Sequence, residues 1–187
     1  MRLFVSIDLD DDARLAIAVE QKRLMRELPG ESSLRMVRPE QMHLTLAFLG
    51  EVDEARGAAI VDAMREDVKA APFPIVYAGL GVFPPHGAPR VLWLGVTTGR
   101  DAAIAVQRQI ADRLTRVGIE PEQRAFHPHL TLARWRTSTP SDRRRLLAAD
   151  RGAQIARVDA AAVTLYQSRL SPSGSSYTAL AEAALRP

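Results

Sequence analysis

No cysteine occurs anywhere in the chain. Disulfides, thiolate nucleophiles and cysteine-bound zinc are therefore excluded at once. No apolar run comes near the roughly 20 residues that a bilayer-spanning helix needs. The opening residues, Met1-Arg2-Leu3-Phe4-Val5-Ser6-Ile7-Asp8, turn acidic too soon for a secretory signal, so a cytoplasmic location with no membrane partner is expected. A glycine-rich phosphate loop is also missing: Gly79-Leu80-Gly81 lacks a third glycine and a following helix. Nor is there a linker of disordered composition. What remains is one domain's worth of chain, 187 residues that are 47% hydrophobic and 25% charged, enough to bury a core.

A net charge of +3 says little, but its distribution says more. Between Arg124 and Arg157 stand eight arginines against two aspartates, Asp142 and Asp150. Guanidinium groups bind phosphate in bidentate fashion, so this stretch is a candidate anion-binding surface. The plainer reading is a solvated helix face carrying Arg143, Arg144 and Arg145.

Strands are predicted at 2–8, 43–49, 73–83, 90–97, 129–134, 155–167 and 176–183, where branched and aromatic residues concentrate. A first helix is expected from Asp10 to Leu28, with Leu15, Ala18, Val19, Met25 and Leu28 as its apolar stripe and Pro29-Gly30 as its stop. The second should run from Asp53 to about Lys69, turning Ile60, Ala63, Met64 and Val68 inward. The clearest helix is Asp101 to Val117, closed by Gly118. Thr139-Pro140 should open a short one reaching about Ala149. Loops at 84–89 and 171–174 make two hairpins. Interleaved elements joined by hairpins favour an α+β fold with antiparallel sheets over a doubly wound parallel sheet.

One short pattern occurs twice. His43-Leu44-Thr45-Leu46-Ala47 returns as His129-Leu130-Thr131-Leu132-Ala133, 86 residues later. Such a repeat suggests two equivalent lobes. On a strand, alternation puts His43 with Thr45 on one face and Leu44 with Leu46 on the other; the second copy behaves identically. If the lobes are related by a pseudo-twofold axis, two imidazoles and two hydroxyls line one cleft.

That set supports a narrow chemistry. One imidazole can be neutral while the other is protonated near neutral pH, giving a general base and a general acid. Threonine hydroxyls can donate to the non-bridging oxygens of a phosphate. The motif holds no nucleophile, so water attacks, and the reaction described is metal-free phosphodiester hydrolysis. The rival is a metal site, since His127 and His129 could face the same way. It lacks a third ligand, because neither motif contains Asp or Glu. His86, in a proline-rich loop, is expected to be exposed and without a role.

At these motifs the chain resembles the two-histidine phosphoesterases, and within them the bacterial and archaeal RNA 2′,3′-cyclic phosphodiesterases of the 2′-5′ RNA ligase family. The resemblance also covers Arg2 to Asp8, Pro39 to Gly50, Pro89 to Val96, Phe126 to Arg134 and Leu165 to Leu170. It implies a single bilobal α+β domain spanning 1–187. Each lobe should be an antiparallel sheet with outer helices, the motifs facing a central cleft. It further implies His43 as general acid, His129 as general base, Thr45 and Thr131 as phosphate holders, and Arg134 as a nucleotide contact. No cofactor or metal is implied, and the partner is RNA or an oligonucleotide with a 2′,3′-cyclic phosphate end; a monomer is expected. Strict alternation sets Arg134 opposite His129, and groups Phe48, a possible base-stacking surface, with Leu44 in the core. Where many relatives have an aromatic residue before Pro39, this chain has Met36-Val37-Arg38. Two other activities use the same residues: 2′-5′ RNA ligation, and nucleotide binding without turnover.

Overall fold

The computed structural model describes residues 1–27, 33–120, 122, 124–171 and 174–187. Ten strands and four helices follow one another in these residues. They are β1 (Arg2–Asp8), α1 (Asp11–Glu27), β2 (Leu34–Met36), β3 (His43–Glu51), α2 (Glu54–Ala63), β4 (Val68–Lys69), β5 (Phe73–Phe83) and β6 (Val91–Thr98). The chain continues with α3 (Arg100–Arg116), β7 (His129–Trp135), α4 (Pro140–Ala148), β8 (Gln154–Ala160), β9 (Ala162–Ser171) and β10 (Gly174–Arg186). They build two five-stranded sheets, ordered β3-β1-β9-β10-β4 and β2-β7-β6-β5-β8. All pairings are antiparallel except β10 with β4. The α+β class and the two antiparallel lobes expected from the sequence are present. No helix among the described residues is long and apolar enough to cross a membrane.

The lobes exchange helices. α1 follows β1 of the first sheet yet packs on β8 of the second, whereas α3 follows β6 of the second sheet and packs on β3 and β4 of the first. Each sheet's apolar face is therefore covered by a helix from the other half of the chain. Leu44, Leu46, Leu130 and Leu132 lie on these covered faces, 0–3% exposed. A leucine buried this fully contributes about 1.5–3 kcal/mol through area removed from water.

Three expectations need correction. First, the buried face of α1 is Ala13, Ile17, Glu20, Gln21 and Leu24, while Leu15, Val19 and Met25 are 67%, 57% and 44% exposed. The buried face contains two polar residues with partners of their own. Glu20 pairs with Arg23, and Gln21 donates to the carbonyls of Val37 and Leu132. Counting apolar residues therefore selects the wrong side. The expected stop at Leu28 and Pro29-Gly30 lies outside the described residues, as do Pro172 and Ser173 of the last hairpin.

Second, α2 ends at Ala63, and Val68 and Lys69 pair with Leu185 and Arg186 as a parallel edge. The buried guanidinium of Arg113, from α3, receives the chain at that point. It donates to the carbonyls of Ala63, Glu66 and Asp67 at 3.2, 2.6 and 3.0 Å, satisfying groups that a continued helix would have satisfied itself.

Third, the single strand expected at 155–167 is two strands in different sheets, separated at Ala161. Burial falls on Ala156, Val158 and Ala160 before that point, and on Val163 and Leu165 after it. A one-residue change of phase turns the opposite face of the chain inward, as a switch of sheet requires. The helix at Arg100–Arg116, the Thr139 cap with its Asp142 capping box, and the β5–β6 hairpin match expectation.

Candidate active site

The motif strands β3 and β7 touch where the two sheets meet. His43, Thr45, His129 and Thr131 are each half-buried, between fully buried leucines. Period-two alternation accounts for this much. It then fails in the same way in both copies.

Across the β1–β3 pairing, Ser6 faces Thr45 but Val5 faces Ala47, so Leu46 is an extra residue. Across β6–β7, Trp93 faces Thr131 but Leu92 faces Ala133, so Leu132 is extra. These are β-bulges at equivalent positions, and each shifts the alternation beyond it by one residue. Phe48 and Arg134, again 86 residues apart in the sequence, consequently join the face of the histidines. Phe48 is not in the core: it is 65% exposed and lies against Phe4, with ring centroids 6.3 Å apart. Arg134 is exposed as well, and its charge acts on both His43 and His129. The guanidinium thus stands within electrostatic reach of both imidazoles.

The bulged residue of β7 is held on its β2 side. Here the Leu132 oxygen accepts from Val37 N at 2.8 Å and from the buried Gln21 amide at 3.0 Å. α1 therefore supplies a second donor to the residue at the bulge, two positions before Arg134. Sequence reasoning missed Gln21, and its only sequence signal was a polar residue in line with Ile17 and Leu24.

Aromatic rings surround each imidazole. His43 stacks on Phe4, centroids 4.6 Å apart at 24°, and meets the edge of Tyr177 at 5.5 Å. Burial pushes its pKa down to about 4, with Arg134 and Arg14 adding to the fall, against the opposing pull of Asp8 and a hydrogen bond to the Gln41 carbonyl. His129 lies edge-on to Phe83 at 5.0 Å and near Trp93 at 6.0 Å. Burial lowers its pKa too, helped by His127 and Arg134 and opposed by the His127 carbonyl. Nδ1 of His129 is 2.7 Å from that carbonyl. A carbonyl only accepts, so Nδ1 carries the hydrogen and Nε2 is left for chemistry.

Trp93 rests directly on glycine. A Cβ built on Gly81 would lie 2.1 Å from Cη2 and Cζ2 of the indole, so nothing larger fits beneath it. Gly81→Ala is expected to cost about 1–3 kcal/mol by overpacking, read as a fall in the denaturation midpoint. An unchanged midpoint would mean that the indole is not seated there.

His127 is exposed, flanking Trp93 at 5.0 Å, and His86 is exposed in its loop. Among the described residues no three His, Asp or Glu side chains are gathered so as to hold a metal ion. Much of the basic stretch is occupied elsewhere. Arg143 donates to the Pro85 carbonyl, while Arg145, Arg151 and Arg157 pair with Asp142, Glu27 and Asp159.

Two antiparallel sheets meeting at paired motif strands define a LigT-type phosphoesterase fold. Escherichia coli LigT complexed with 3′-AMP superposes with a TM-score of 0.76 at 28% identity, covering 100% of this chain and 98% of that one. A Thermus thermophilus protein gives 0.81 at 26% identity, with the same coverage. The chain belongs to the 2′-5′ RNA ligase superfamily, whose family profile matches residues 12–171. It is 37% identical over 140 residues to the RNA 2′,3′-cyclic phosphodiesterase of Archaeoglobus fulgidus, covering 75% of this chain and 76% of that protein.

Proposed function

We propose that this protein hydrolyses RNA or nucleotide 2′,3′-cyclic phosphate ends to 2′-phosphates, by acid–base catalysis at His43 and His129 without a metal. The observation that carries the reading is the doubled His-x-Thr strand: two half-buried imidazoles with Arg134 within reach of both. Family membership and the cyclic phosphodiesterase relative support it.

Water attacks phosphorus and loses a proton to Nε2 of His129. The P–O3′ bond breaks, and the departing O3′ takes a proton from His43. The product is a 2′-phosphate monoester, and proton exchange with solvent restores both rings. Thr45 and Thr131 donate to the non-bridging oxygens, and Arg134 offsets their charge. In-line geometry requires base and acid on opposite sides of phosphorus, and the placement of the motifs on opposite lobes supports that reading. The choice of O3′ as leaving group follows the family resemblance. Phe48, on the same face, offers the nucleoside base a stacking surface. The chain acts as a single bilobal domain and a monomer in the cytoplasm, with no cofactor.

The test is product analysis after incubation with a nucleoside 2′,3′-cyclic phosphate, with and without chelator. The 2′-monophosphate should accumulate at the same rate in both arms. A 3′-phosphate product would reverse the substrate's orientation. Loss of activity in chelator, restored by one divalent ion, would end the metal-free reading.

A further inference from the structure

We infer that Asp8 is the positioning residue that makes the two histidines unequal, holding His43 as the proton donor of the pair. The inference rests on the hydrolytic reading above and deepens it.

The residue paired with each histidine on the neighbouring strand differs. Asp8 faces His43 across β1–β3, whereas Gly95 faces His129 across β6–β7. Directly opposed residues project from the same side of a sheet, so the carboxylate of Asp8 stands beside the His43 ring. Two residues along, Ser6 faces Thr45 where Trp93 faces Thr131. One strand further in, Thr164 faces Ser6 where Gly81 faces Trp93. The first lobe therefore carries Ser, Asp and Thr where the second carries Trp, Gly and Gly.

Asp8 is held in place. Its Oδ2 accepts from Thr164 Oγ1 and Tyr166 Oη, each at 2.9 Å, and its Oδ1 accepts from Ser6 Oγ at 3.4 Å. Burial and the neighbouring Asp8 charge push the Tyr166 hydroxyl up to about 12, so it remains a donor throughout the working pH range. The equivalent position in the second lobe is crowded. A Cβ on Gly95 would already lie 3.1 Å from the Ala78 carbonyl and 3.4 Å from the Trp93 ring.

Of the charges that act on the two imidazoles, the one carboxylate acts on His43. His43 faces Asp8 from β1, Tyr177 from β10, Arg134 from β7 and Arg14 from α1. Around His129 the acting charges are His127 and Arg134, both opposing protonation. Without a phosphate, burial dominates and His43 is neutral at pH 7. An anionic phosphate cancels the Arg134 charge for both rings. The charges that then differ between the rings are Asp8 and Arg14 at His43 and His127 at His129; of the two at His43, Asp8 acts more strongly, and it draws the proton there.

The experiment compares pH profiles of kcat for the wild type, Asp8→Asn and Asp8→Glu on a nucleoside 2′,3′-cyclic phosphate. The alkaline limb reports the acid, which must be protonated. Asp8→Asn should move that limb about one pH unit toward acid, leave the acid limb in place, and be reversed by Asp8→Glu. A uniform loss of rate with both limbs fixed would reduce Asp8 to a structural role. Movement of the acid limb instead would make His43 the base. Either result overturns the inference. Should the asparagine variant not fold, Asp8→Ser carries the same expectation. NMR titration of both rings with a nucleoside 2′-monophosphate bound needs no turnover. Asp8→Asn should lower the His43 pKa there and leave His129 unmoved; an unmoved His43 overturns the inference. Failure of the wild type to hydrolyse the cyclic phosphate would count against the hydrolytic reading alone.

Discussion

Replacing His43 or His129 by alanine is expected to slow turnover about 10²–10⁴-fold in each case, the usual contribution of a positioned general acid or base. Neither change should unfold the protein, because both rings are only half-buried and the leucines beside them stay packed. The double variant should lose less than the product of the two single losses, since groups that act together in one step are not additive. Thr45→Ala and Thr131→Ala should be milder, as a hydrogen bond to a charged group is worth about 1.5–3 kcal/mol and a neutral one about 0.5–1.5. Steady-state rates on a cyclic nucleotide, with circular dichroism to confirm folding, make the measurement. A single histidine variant near the wild-type rate would remove that residue from the mechanism.

The pH dependence follows from the same pair. The base must be neutral, so rate is lost as pH falls through its pKa. The acid must be protonated, so rate is lost as pH rises through its own. The profile of kcat/KM reports the free protein, where burial holds His43 at about 4 and lowers His129 as well. Its maximum should therefore lie below about 6.5, the ordinary imidazole value. A bound phosphate anion favours both imidazolium forms, so the maximum of kcat should lie at higher pH than that of kcat/KM. Coincident maxima would show that the substrate's charge does not reach the rings.

The strand and face of each motif histidine and threonine were readable because their signal is local and repeated. The motif names its own strand, and alternation separates the His-Thr face from the leucine face without knowledge of anything else in the fold. Phe48 was misplaced, and Arg134 left on the wrong face, for a single reason: a bulge is a property of two strands in register. Nothing in His43 to Phe48 alone shows that Leu46 lacks a partner on β1. The buried side of α1 failed differently. Gln21 is inside because its amide donates to the carbonyls of Val37 and Leu132, the second 111 residues away, and no periodicity of α1 carries that information. The early end of α2 likewise depends on Arg113, a residue of another helix. The misread positions share a dependence on long-range pairing, and the correct ones do not.

Arg134→Ala should lower kcat/KM by about 10- to 100-fold, the value of a charge-assisted hydrogen bond to phosphate of about 1.5–3 kcal/mol. Two companions make the result specific. Arg134 lowers the pKa of both histidines, so removing its charge should raise both, and the whole kcat/KM profile should move toward alkaline pH without narrowing. Arg134→Lys keeps the charge but loses the planar fork; it should restore the position of the profile and only part of the rate. A guanidinium that merely decorated the outer face of β7 would give neither shift nor loss, and exposed arginines such as Arg136 supply that control. The bulge at Leu132 decides between the two. It is pinned by Val37 N and Gln21 Nε2, so Gln21→Leu, which removes the side-chain donor, should reproduce a weaker form of the Arg134→Ala defect. A Gln21→Leu protein with normal kcat/KM and normal stability would mean that the backbone bond from Val37 suffices to hold the kink and aim Arg134 at the phosphate.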